Sequence, residues 1–214
     1  MTETRDAPNG HTVRSERSTR LLIRAAGELI AEGGYATVTL AMVGERAGYS
    51  RSLATARFGS KAKLLDALVD HIVTRWNLAT VIPKTEGEPG LEALTIVLRS
   101  IRDSYGKDPQ SLRVLYALMF EALGPDEELR VRFRDFHRDM RADLAATVRR
   151  GIEDGSITAA VDPEAEARFI MATLRGVGYQ WRLDPEEFEP VSPLDMLIES
   201  TRARLEAVPA PAER

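Results

Sequence analysis

The stretch "AGYSRSLATARFGSKAKLL", residues 47–65, decides the fold of this chain. Gly48 interrupts one helical pattern, and Ser50 is a suitable N-cap for the next helix because its hydroxyl can accept a hydrogen bond from a free backbone N–H. A second interruption at Gly59 is followed by Ser60, which is suited to cap a further helix. The stretch therefore predicts short helices joined by tight turns.

Positive charge is concentrated around this stretch, although the whole chain has a net charge of −4. Residues 1–63 carry 10 Lys and Arg against 6 Asp and Glu, a net charge of +4, whereas residues 64–214 carry 19 against 27, a net charge of −8. Such an asymmetry favours contact between the small basic region and a polyanion. Charge alone does not exclude an asymmetry without functional meaning, since many helical proteins have local imbalances of charge.

The composition excludes several classes of protein. With 43% hydrophobic and 29% charged residues, the 214-residue chain can bury a sizeable core. It has no Cys, which excludes disulfides, thiolate zinc sites and Cys nucleophiles, and fits a reducing cytoplasm. No apolar run approaches the roughly 20 residues that cross a bilayer, and the N-terminal segment lacks the apolar core of a signal peptide. We therefore expect a cytoplasmic protein without a membrane partner.

Apolar residues recur every three or four positions along most of the chain, which predicts an all-α fold of about nine helices. The first helix is expected from Ser18 to Glu32, and the last from Leu194 to Ala207. The segment "PKTEGEPG", residues 83–90, is expected to be a loop because of its Pro and Gly content.

Two short helices joined by a glycine turn, the second polar and basic, are typical of a helix-turn-helix. A second helix of about nine residues spans roughly 13 Å, comparable to the roughly 12 Å width of the DNA major groove. Arg51 and Arg57 could reach phosphates or guanine edges, and the helix N-terminus at Ser60 and Lys61 favours a phosphate. The pattern alone equally permits a surface helical hairpin with solvated arginines.

Residues 18–69 resemble the N-terminal DNA-binding domain of the TetR family of bacterial transcriptional regulators. The matching segments are "RAAGELIAEGGYATVTL", "VGERAGYSRS" and "FGSKAKLL", which follow one another in register and without gaps. The resemblance implies a helix-turn-helix domain over residues 18–63, preceded by a disordered arm over residues 1–17. It also implies a helical regulatory and dimerisation domain over residues 64–208, followed by a frayed tail over residues 209–214.

The chain departs from the usual family pattern at several positions. Thr55 stands where the recognition helix usually has a tyrosine, and Ala56 where it often has a histidine. Ala41 and Met42 replace a charged pair at the start of the second helix, and Gly44 replaces an alanine. These differences put particular DNA contacts in question but leave the expected fold unchanged.

The resemblance assigns DNA contacts to residues in and around the recognition helix. Contacts to the phosphate backbone are implied for Thr39, Ser50, Thr55 and Lys61. Readers of base edges are implied among Arg51, Ser52, Leu53 and Ala56, with either role open to Arg57. Leu53 could instead pack inside the protein, and Phe58 and Tyr35 are expected to be core residues.

The resemblance also implies a homodimer that binds a palindromic operator in double-stranded DNA. The segment "GSITAAVDPEAEARFIMATLRGVGYQWRLDP" resembles a common version of the penultimate helix and its lead-in, and in this family the last two helices pack against their copies. The expected interface residues are Phe169, Ile170, Thr173, Leu174, Val177, Leu197, Ile198 and Thr201. The same faces could instead be internal core.

In this family the regulatory domain also encloses a pocket for an effector, and the Met and aromatic content here suits a small, largely apolar molecule. The candidate lining residues are Trp76, Tyr105, Tyr116, Met119, Phe120, Phe133, His137, Met140, Tyr179 and Trp181, each of which could instead be ordinary core. The resemblance implies a repressor that its effector releases from DNA by a population shift. No cofactor or metal site is expected.

Two other classes of function stay open at this point. A helix-turn-helix regulator could respond to a protein partner instead of a metabolite. An all-α enzyme or adaptor lacks support, because His11, His71 and His137 lie far apart and no His-x-x-x-His or Glu-x-x-His spacing occurs. We therefore expect no catalytic residues.

Overall fold

The computed structural model describes residues 10–207, and the regular secondary structure of this part of the chain is helical, as the sequence predicts. Within it lie ten α-helices and one π-helical turn, which spans Asn77–Val81. The α-helices are α1 (Gly10–Gly33), α2 (Leu40–Arg46), α3 (Arg51–Phe58), α4 (Lys61–Trp76), α5 (Ile82–Thr85), α6 (Gly90–Lys107), α7 (Pro109–Glu121), α8 (Glu127–Glu153), α9 (Pro163–Leu183) and α10 (Val191–Leu205).

The chain divides into two compact units, Met1–Ile72 and Val73–Arg214. Residues 1–9 of the expected N-terminal arm and the expected tail, residues 209–214, lie outside the described residues. Among the described helices none is both long enough and apolar enough to cross a membrane.

Helix α1 begins at Gly10 and not at Ser18, so residues 10–17 of the expected arm are helical. The early turns of α1 are held by contacts that no local periodicity could reveal. The Arg57 guanidinium donates to Ser15 Oγ at 2.6 Å and to Ser18 Oγ at 3.3 Å. The Ser18 hydroxyl in turn donates to the Ser15 carbonyl oxygen at 2.8 Å.

The core of the first unit is built from the apolar faces of α1 to α4. Phe58 and Tyr35 are both buried, which confirms them as packing residues. They are joined in the core by Leu22, Ala26, Ile30, Val38, Val43, Ala54, Leu64, Leu65 and Leu68. Burial of these side chains on one face of each helix is what the three- and four-residue spacing requires.

The prediction of a loop over residues 83–90 is wrong for its first part. Helix α5 includes residues 83–85, and Pro83 lies in its first turn. A proline is tolerated there because the first backbone N–H groups of a helix have no intrahelical partner. The chain leaves the helix at Glu86 and turns at Gly87, whose φ of +78° favours glycine.

In the second unit α8 packs against α6 and α9, and α10 packs against α6 and α9. Its core contains Leu94, Leu98, Leu118, Leu129, Val148, Ile170 and Leu194, all essentially inaccessible. The turn after α8 is fixed by backbone bonds, since the Thr158 N–H donates to the Leu205 carbonyl oxygen at 2.9 Å. An isolated antiparallel bridge between Ile157 and Glu206 adjoins it.

Candidate functional site

Helices α2 and α3 form a tight helix-turn-helix that depends on a glycine. A Cβ atom added to Gly44 would lie 2.5 Å from the Ser50 carbonyl oxygen and 3.3 Å from the Arg51 Cα. Both atoms belong to the backbone at the start of α3, so neither can move aside alone. Gly44, a departure from the usual alanine, therefore permits the two helices to approach closely. The turn between them passes through Gly48, at a φ of +77°.

Thr39 and Ser60 form N-capping bonds, and Ser50 does not. The Thr39 hydroxyl accepts a hydrogen bond from the Met42 N–H at 3.2 Å, and the Ser60 hydroxyl accepts one from the Lys63 N–H at 3.2 Å. Ser50 occupies the N-cap position of α3 in extended conformation, but its side chain makes no capping bond. Its hydroxyl instead lies 3.2 Å from the Ser52 hydroxyl. The N-cap position of Ser50 is therefore predicted correctly, whereas the expected bond from its hydroxyl to a backbone N–H is not formed.

Helix α3 presents one polar face to solvent and one apolar face to the core. Ala54 and Phe58 are buried, and Leu53 is half-buried. The exposed positions are Arg51, Ser52, Thr55, Ala56 and Arg57. Because these positions recur at helical spacing, the predicted DNA-contacting residues of α3 share one outward surface, apart from Leu53 at its edge.

Both arginines of α3 already have partners. Arg51 Nε donates to a carboxylate oxygen of Glu45, on the exposed surface of α2. Arg57 donates to the hydroxyls of Ser15 and Ser18 on α1, as described above. A phosphate or base that binds Arg51 or Arg57 therefore meets a guanidinium that already takes part in hydrogen bonding within the protein.

Lys61, at the first position of α4, lies beside the loop that precedes α2. Its Nζ donates to the Ala36 carbonyl oxygen at 3.1 Å and lies 4.1 Å from the centre of the Tyr35 ring. A cation over an aromatic face is attracted by the ring quadrupole. The ammonium is thus held on the same edge of the unit as the Thr39 hydroxyl that caps α2.

A bidentate ion pair fixes α2 against α1. Arg46 donates from both terminal nitrogens to the two carboxylate oxygens of Glu32, each at 2.8 Å. The hydrogen bond from Arg46 holds the pKa of the Glu32 carboxyl below its ordinary value. Paired donors of this kind fix orientation, so α2 is held in position for the turn into α3.

In the second unit three of the expected ligand-lining residues, Tyr105, Tyr116 and Trp181, form one buried aromatic cluster. The Tyr105 and Trp181 rings meet edge to face, with centres 4.9 Å apart. The Tyr105 hydroxyl lies 3.4 Å from the Tyr116 hydroxyl, which donates to the Leu174 carbonyl oxygen at 3.1 Å. Met119 is buried on the same helix as Tyr116. Burial raises the pKa of Tyr105, so its phenol stays protonated near pH 7.

Arg175 lies against this cluster, and sequence reasoning missed it. Its Cζ lies 5.8 Å from the centre of the Tyr116 ring and 5.9 Å from that of Phe136, and its Nη2 donates to the Met140 sulfur at 3.2 Å. Its Nε is buried without a hydrogen-bond partner. A signal was available in the sequence, because position 175 falls on the face of α9 that carries the buried Met171, Leu174 and Gly178.

His137, an expected ligand-lining residue on α8, is also incompletely hydrogen-bonded. Its Nε2 is buried and has no partner, and its ring packs between those of Phe133 and Phe136, with centres 6.5 Å and 5.6 Å away. Burial, followed by the positive charges of Arg175 and Arg141, lowers the pKa of His137 to about 4. The imidazole is therefore neutral near pH 7.

The remaining ligand candidates lie in three different environments. Phe133 is buried, and Met140 is half-buried beside Arg175. Trp76 is half-buried at the end of α4, with a buried Nε1 that has no hydrogen-bond partner. Phe120 and Tyr179 meet edge to face at the surface, with ring centres 5.7 Å apart and 36% and 51% of their surfaces exposed.

The face expected to form the dimer interface is mostly core of the single chain. The residues buried within the protomer are Ile170, Leu174, Val177, Leu197, Ile198 and Thr201. Thr173 is half-buried, and only Phe169 among the expected interface residues is exposed. The buried side chains fit the alternative of internal core, because α9 is apolar on two adjacent faces and periodicity does not distinguish them.

The exposed face of α9 is the neighbouring one. It carries Phe169, Ala172, Gly176, Tyr179 and Leu183, and α10 adds the exposed Met196. Beside Phe169 lies an open groove of about 490 Å³, where Arg204 pairs with Glu166 at 2.5 Å. Exposed apolar side chains in a contiguous row mark surfaces that other molecules cover.

Comparison with known families matches both units. Residues 22–68 match the family described as "Bacterial regulatory proteins, tetR family". Residues 90–206, more than half of the chain, match the family described as "BetI-type transcriptional repressor, C-terminal".

The chain is also similar to individual proteins over most of its length. It is 25% identical to the HTH-type transcriptional regulator TtgR of Pseudomonas putida over 196 residues, which cover 88% of this chain and 91% of TtgR. Among solved structures, the complex of SmeT with triclosan matches with a TM-score of 0.76 and 20% identity, covering 92% of this chain and 100% of SmeT. SmeT is the repressor of the Stenotrophomonas maltophilia multidrug efflux pump SmeDEF. FadR of Bacillus subtilis in complex with stearoyl-CoA matches with a TM-score of 0.74, 19% identity and coverage of 86% and 98%.

Proposed function

The chain belongs to the TetR family of bacterial transcriptional regulators, and from this premise we propose that it is a homodimeric repressor that a small molecule releases from a palindromic operator. The observation that carries the proposal is the outward face of α3, where Arg51, Ser52, Thr55 and Ala56 are all exposed. A helix with this exposed row, supported by a second helix at a glycine turn, has the dimensions of a major-groove reader.

Within this proposal the exposed residues divide by chemistry. Arg51 is the reader of base edges, because a guanidinium can donate two bonds to guanine O6 and N7. Thr39, Ser50, Thr55 and Lys61 supply hydroxyl or ammonium donors to phosphates, which position the helix but carry little sequence information. Ala56 leaves room for a base methyl group or for close approach of the backbone.

The dimer surface in this proposal is the exposed face of α9 together with α10. Phe169, Tyr179 and Met196 are 50%, 51% and 68% exposed, and burial of such side chains drives association. Gly176 has open space where a Cβ would lie, which permits a second helix to approach closely. Two-fold symmetry of such a dimer requires two operator half-sites related by the same symmetry.

The effector site in this proposal is formed by Tyr105 of α6 and Tyr116 of α7, from the aromatic cluster, together with His137 and Met140 of α8. Two neighbours of the same fold have been determined with small molecules, SmeT with triclosan and FadR with stearoyl-CoA. The effector acts by binding better to a conformation whose recognition helices are badly spaced for the operator. By linkage, operator DNA then lowers affinity for the effector by the same factor.

The DNA-binding function is tested by selecting bound sequences from a random duplex library with the purified full-length protein at physiological salt. The expected result is enrichment of one palindrome with half-sites about one helical turn or slightly more apart. A double variant, Arg51→Ala with Thr55→Ala, is the matched control and should enrich nothing. No enrichment by the folded, ligand-free wild type would overturn the proposal.

The dimer surface is tested by sedimentation velocity on Phe169→Asp, with Leu123→Asp as control. Leu123 is the more exposed of the two, at 83%, and lies between α7 and α8, on neither of the helices that form the proposed surface. Phe169→Asp should give monomer and Leu123→Asp the wild-type dimer. Dimeric Phe169→Asp, or a monomeric wild type at micromolar concentration, would contradict the assignment.

A further inference from the structure

Arg175 is a half-buried positive charge of the second unit that has no anionic partner among the described residues. Among residues 10–207 it forms no ion pair with a carboxylate. Its one hydrogen bond to a side chain goes to the Met140 sulfur, and its Nε is buried with no partner at all. Thioether sulfur is a weak acceptor, so the guanidinium is poorly satisfied for a group of five donors.

This arrangement is costly unless something else binds there. A buried charge is normally paired and fully hydrogen-bonded, since desolvation of an ion without a partner is strongly unfavourable. The rings of Tyr116 and Phe136, each about 6 Å from the Arg175 Cζ, compensate in part through the attraction between a cation and an aromatic face. Neither ring is a conventional hydrogen-bond acceptor, so the buried Nε stays unsatisfied.

The surroundings of Arg175 combine this charge with apolar surface and a second unused donor or acceptor. His137 on α8 carries an Nε2 that is buried without a partner, and its ring lies beside that of Phe136, which Arg175 also contacts. Met140 is flexible and half-buried, so its side chain can move away from Arg175 at small cost. The Tyr116 and Phe136 rings line the apolar side.

We propose that Arg175 is the anion-binding residue of the effector site, and that the effector is an apolar or aromatic molecule carrying a carboxylate or sulfonate. The acid group takes the hydrogen bond now made to the Met140 sulfur and a second bond from the guanidinium edge, in the bidentate geometry that arginine favours. The apolar body lies against Tyr116 and Phe136, and His137 Nε2 meets a polar substituent. The inference rests on the proposed function, because it names the ligand class of the same site.

The proposal is tested with two fluorescent probes that differ in the acid group. 8-Anilinonaphthalene-1-sulfonate carries a sulfonate, and N-phenyl-1-naphthylamine has the same aromatic body without it. Direct titrations of the full-length protein near neutral pH compare wild type with Arg175→Gln, Arg175→Lys and the control Arg168→Gln. Arg168 lies on the same helix but is exposed.

Wild type is expected to bind one sulfonate probe per chain, more tightly than the neutral probe. Arg175→Gln should weaken sulfonate binding about tenfold to a hundredfold, with the neutral probe changed less than about threefold, because a charge-assisted hydrogen bond is lost. Arg175→Lys should fall between, since it keeps the charge but loses the planar fork. Arg168→Gln should match wild type.

Equal weakening of both probes by Arg175→Gln, or no change in either, would overturn the proposal, as would a wild type without preference for the sulfonate. If Arg175→Gln does not fold, judged by thermal unfolding, Arg175→Met fills a similar volume and replaces it. The selection of DNA duplexes, described under the proposed function, tests DNA binding independently of the probe titrations. Operator enrichment without sulfonate preference rejects the anion site and leaves the regulator, whereas the reverse result rejects the DNA-binding function alone.

Discussion

The arginines of α3 and Arg175 of α9 differ in their hydrogen-bond partners. In the first unit Arg51 pairs with Glu45, and Arg57 donates to Ser15 and Ser18, although both lie on the exposed face of α3. In the second unit Arg175 is half-buried and has only a sulfur acceptor. Water or DNA can replace the partners of Arg51 and Arg57 at little cost in free energy. The half-buried Arg175 lacks a strong hydrogen-bond acceptor, which an anionic ligand would supply.

The largest effect is expected from Gly44→Ala, which disrupts the support of α3 in the first unit. The added Cβ meets the Ser50 backbone oxygen at 2.5 Å, so α2 and α3 have to separate. We expect a loss of about 1–3 kcal/mol in the free energy of unfolding and loss of operator binding. Urea denaturation and a mobility shift measure the two effects.

The control for this substitution is Gly106→Ala, in α6 of the second unit, where nothing lies within 4 Å of an added Cβ. It gains the same helix propensity without the clash and should be neutral or stabilising. Equal stability of the two variants would show that α2 and α3 can relax apart without cost.

The second prediction concerns Arg51→Ala, which we expect to cost about 1–3 kcal/mol of operator binding and to relax specificity at one position of each half-site. Mobility shifts on the selected palindrome and its single-base variants check this. Arg24→Ala is the control, since Arg24 is exposed on α1 and pairs with Glu28. Uniform weakening on every sequence, with a shallower salt dependence, would instead assign Arg51 to phosphate.

The third prediction uses the unpartnered His137 of the second unit. Its pKa of about 4 lies below the ordinary 6.5, so the unfolded chain binds a proton before the folded chain as the pH falls. Stability is therefore lost between about pH 6.5 and pH 4. The loss is roughly 1–2 kcal/mol after allowance for solvent screening of a half-buried ring.

The measurement is urea denaturation of wild type and His137→Phe across this pH range. The variant has no imidazole to protonate, so its stability should fall less steeply with acid. His71, half-buried on α4 of the first unit, supplies the control substitution His71→Phe. A parallel pH profile for wild type and His137→Phe would contradict the low pKa.

The smallest effect is expected from Glu45→Gln, which removes the carboxylate that now accepts from Arg51. Exposed ion pairs contribute about 0.2–1 kcal/mol, so freeing Arg51 should tighten operator binding by a few-fold at most. The gain should shrink as salt is raised. Weaker binding by Glu45→Gln would show that Glu45 orients Arg51 for DNA and does not compete with it.

The helix-turn-helix was predictable because its determinants are local. Glycines at positive φ, the Thr39 and Ser60 caps and the burial of Phe58 all follow from residues within a few positions of one another. The early start of α1 was not predictable, because its support comes from Arg57, far along the chain.

The second unit was predictable in class but not in detail. Periodicity found its helices, yet it could not decide which apolar face of α9 is core, so Ile170 and Leu174 were assigned to the surface that Phe169 occupies. The expected aromatic cluster of Tyr105, Tyr116 and Trp181 does assemble, because long apolar helices place such rings inward. The position of Arg175 was not predicted, because charged residues are rarely buried and sequence patterns place them at the surface.

The contact between Gly44 and Ser50 has a consequence for engineering new DNA specificity. Relatives with alanine at the equivalent of Gly44 must hold their recognition helix slightly farther from its support. A recognition helix transplanted from such a relative would therefore sit at a different depth on this scaffold. A chimera that preserves the donor's reading geometry has to exchange residues 39–58 as one block, with both helices and the turn between them.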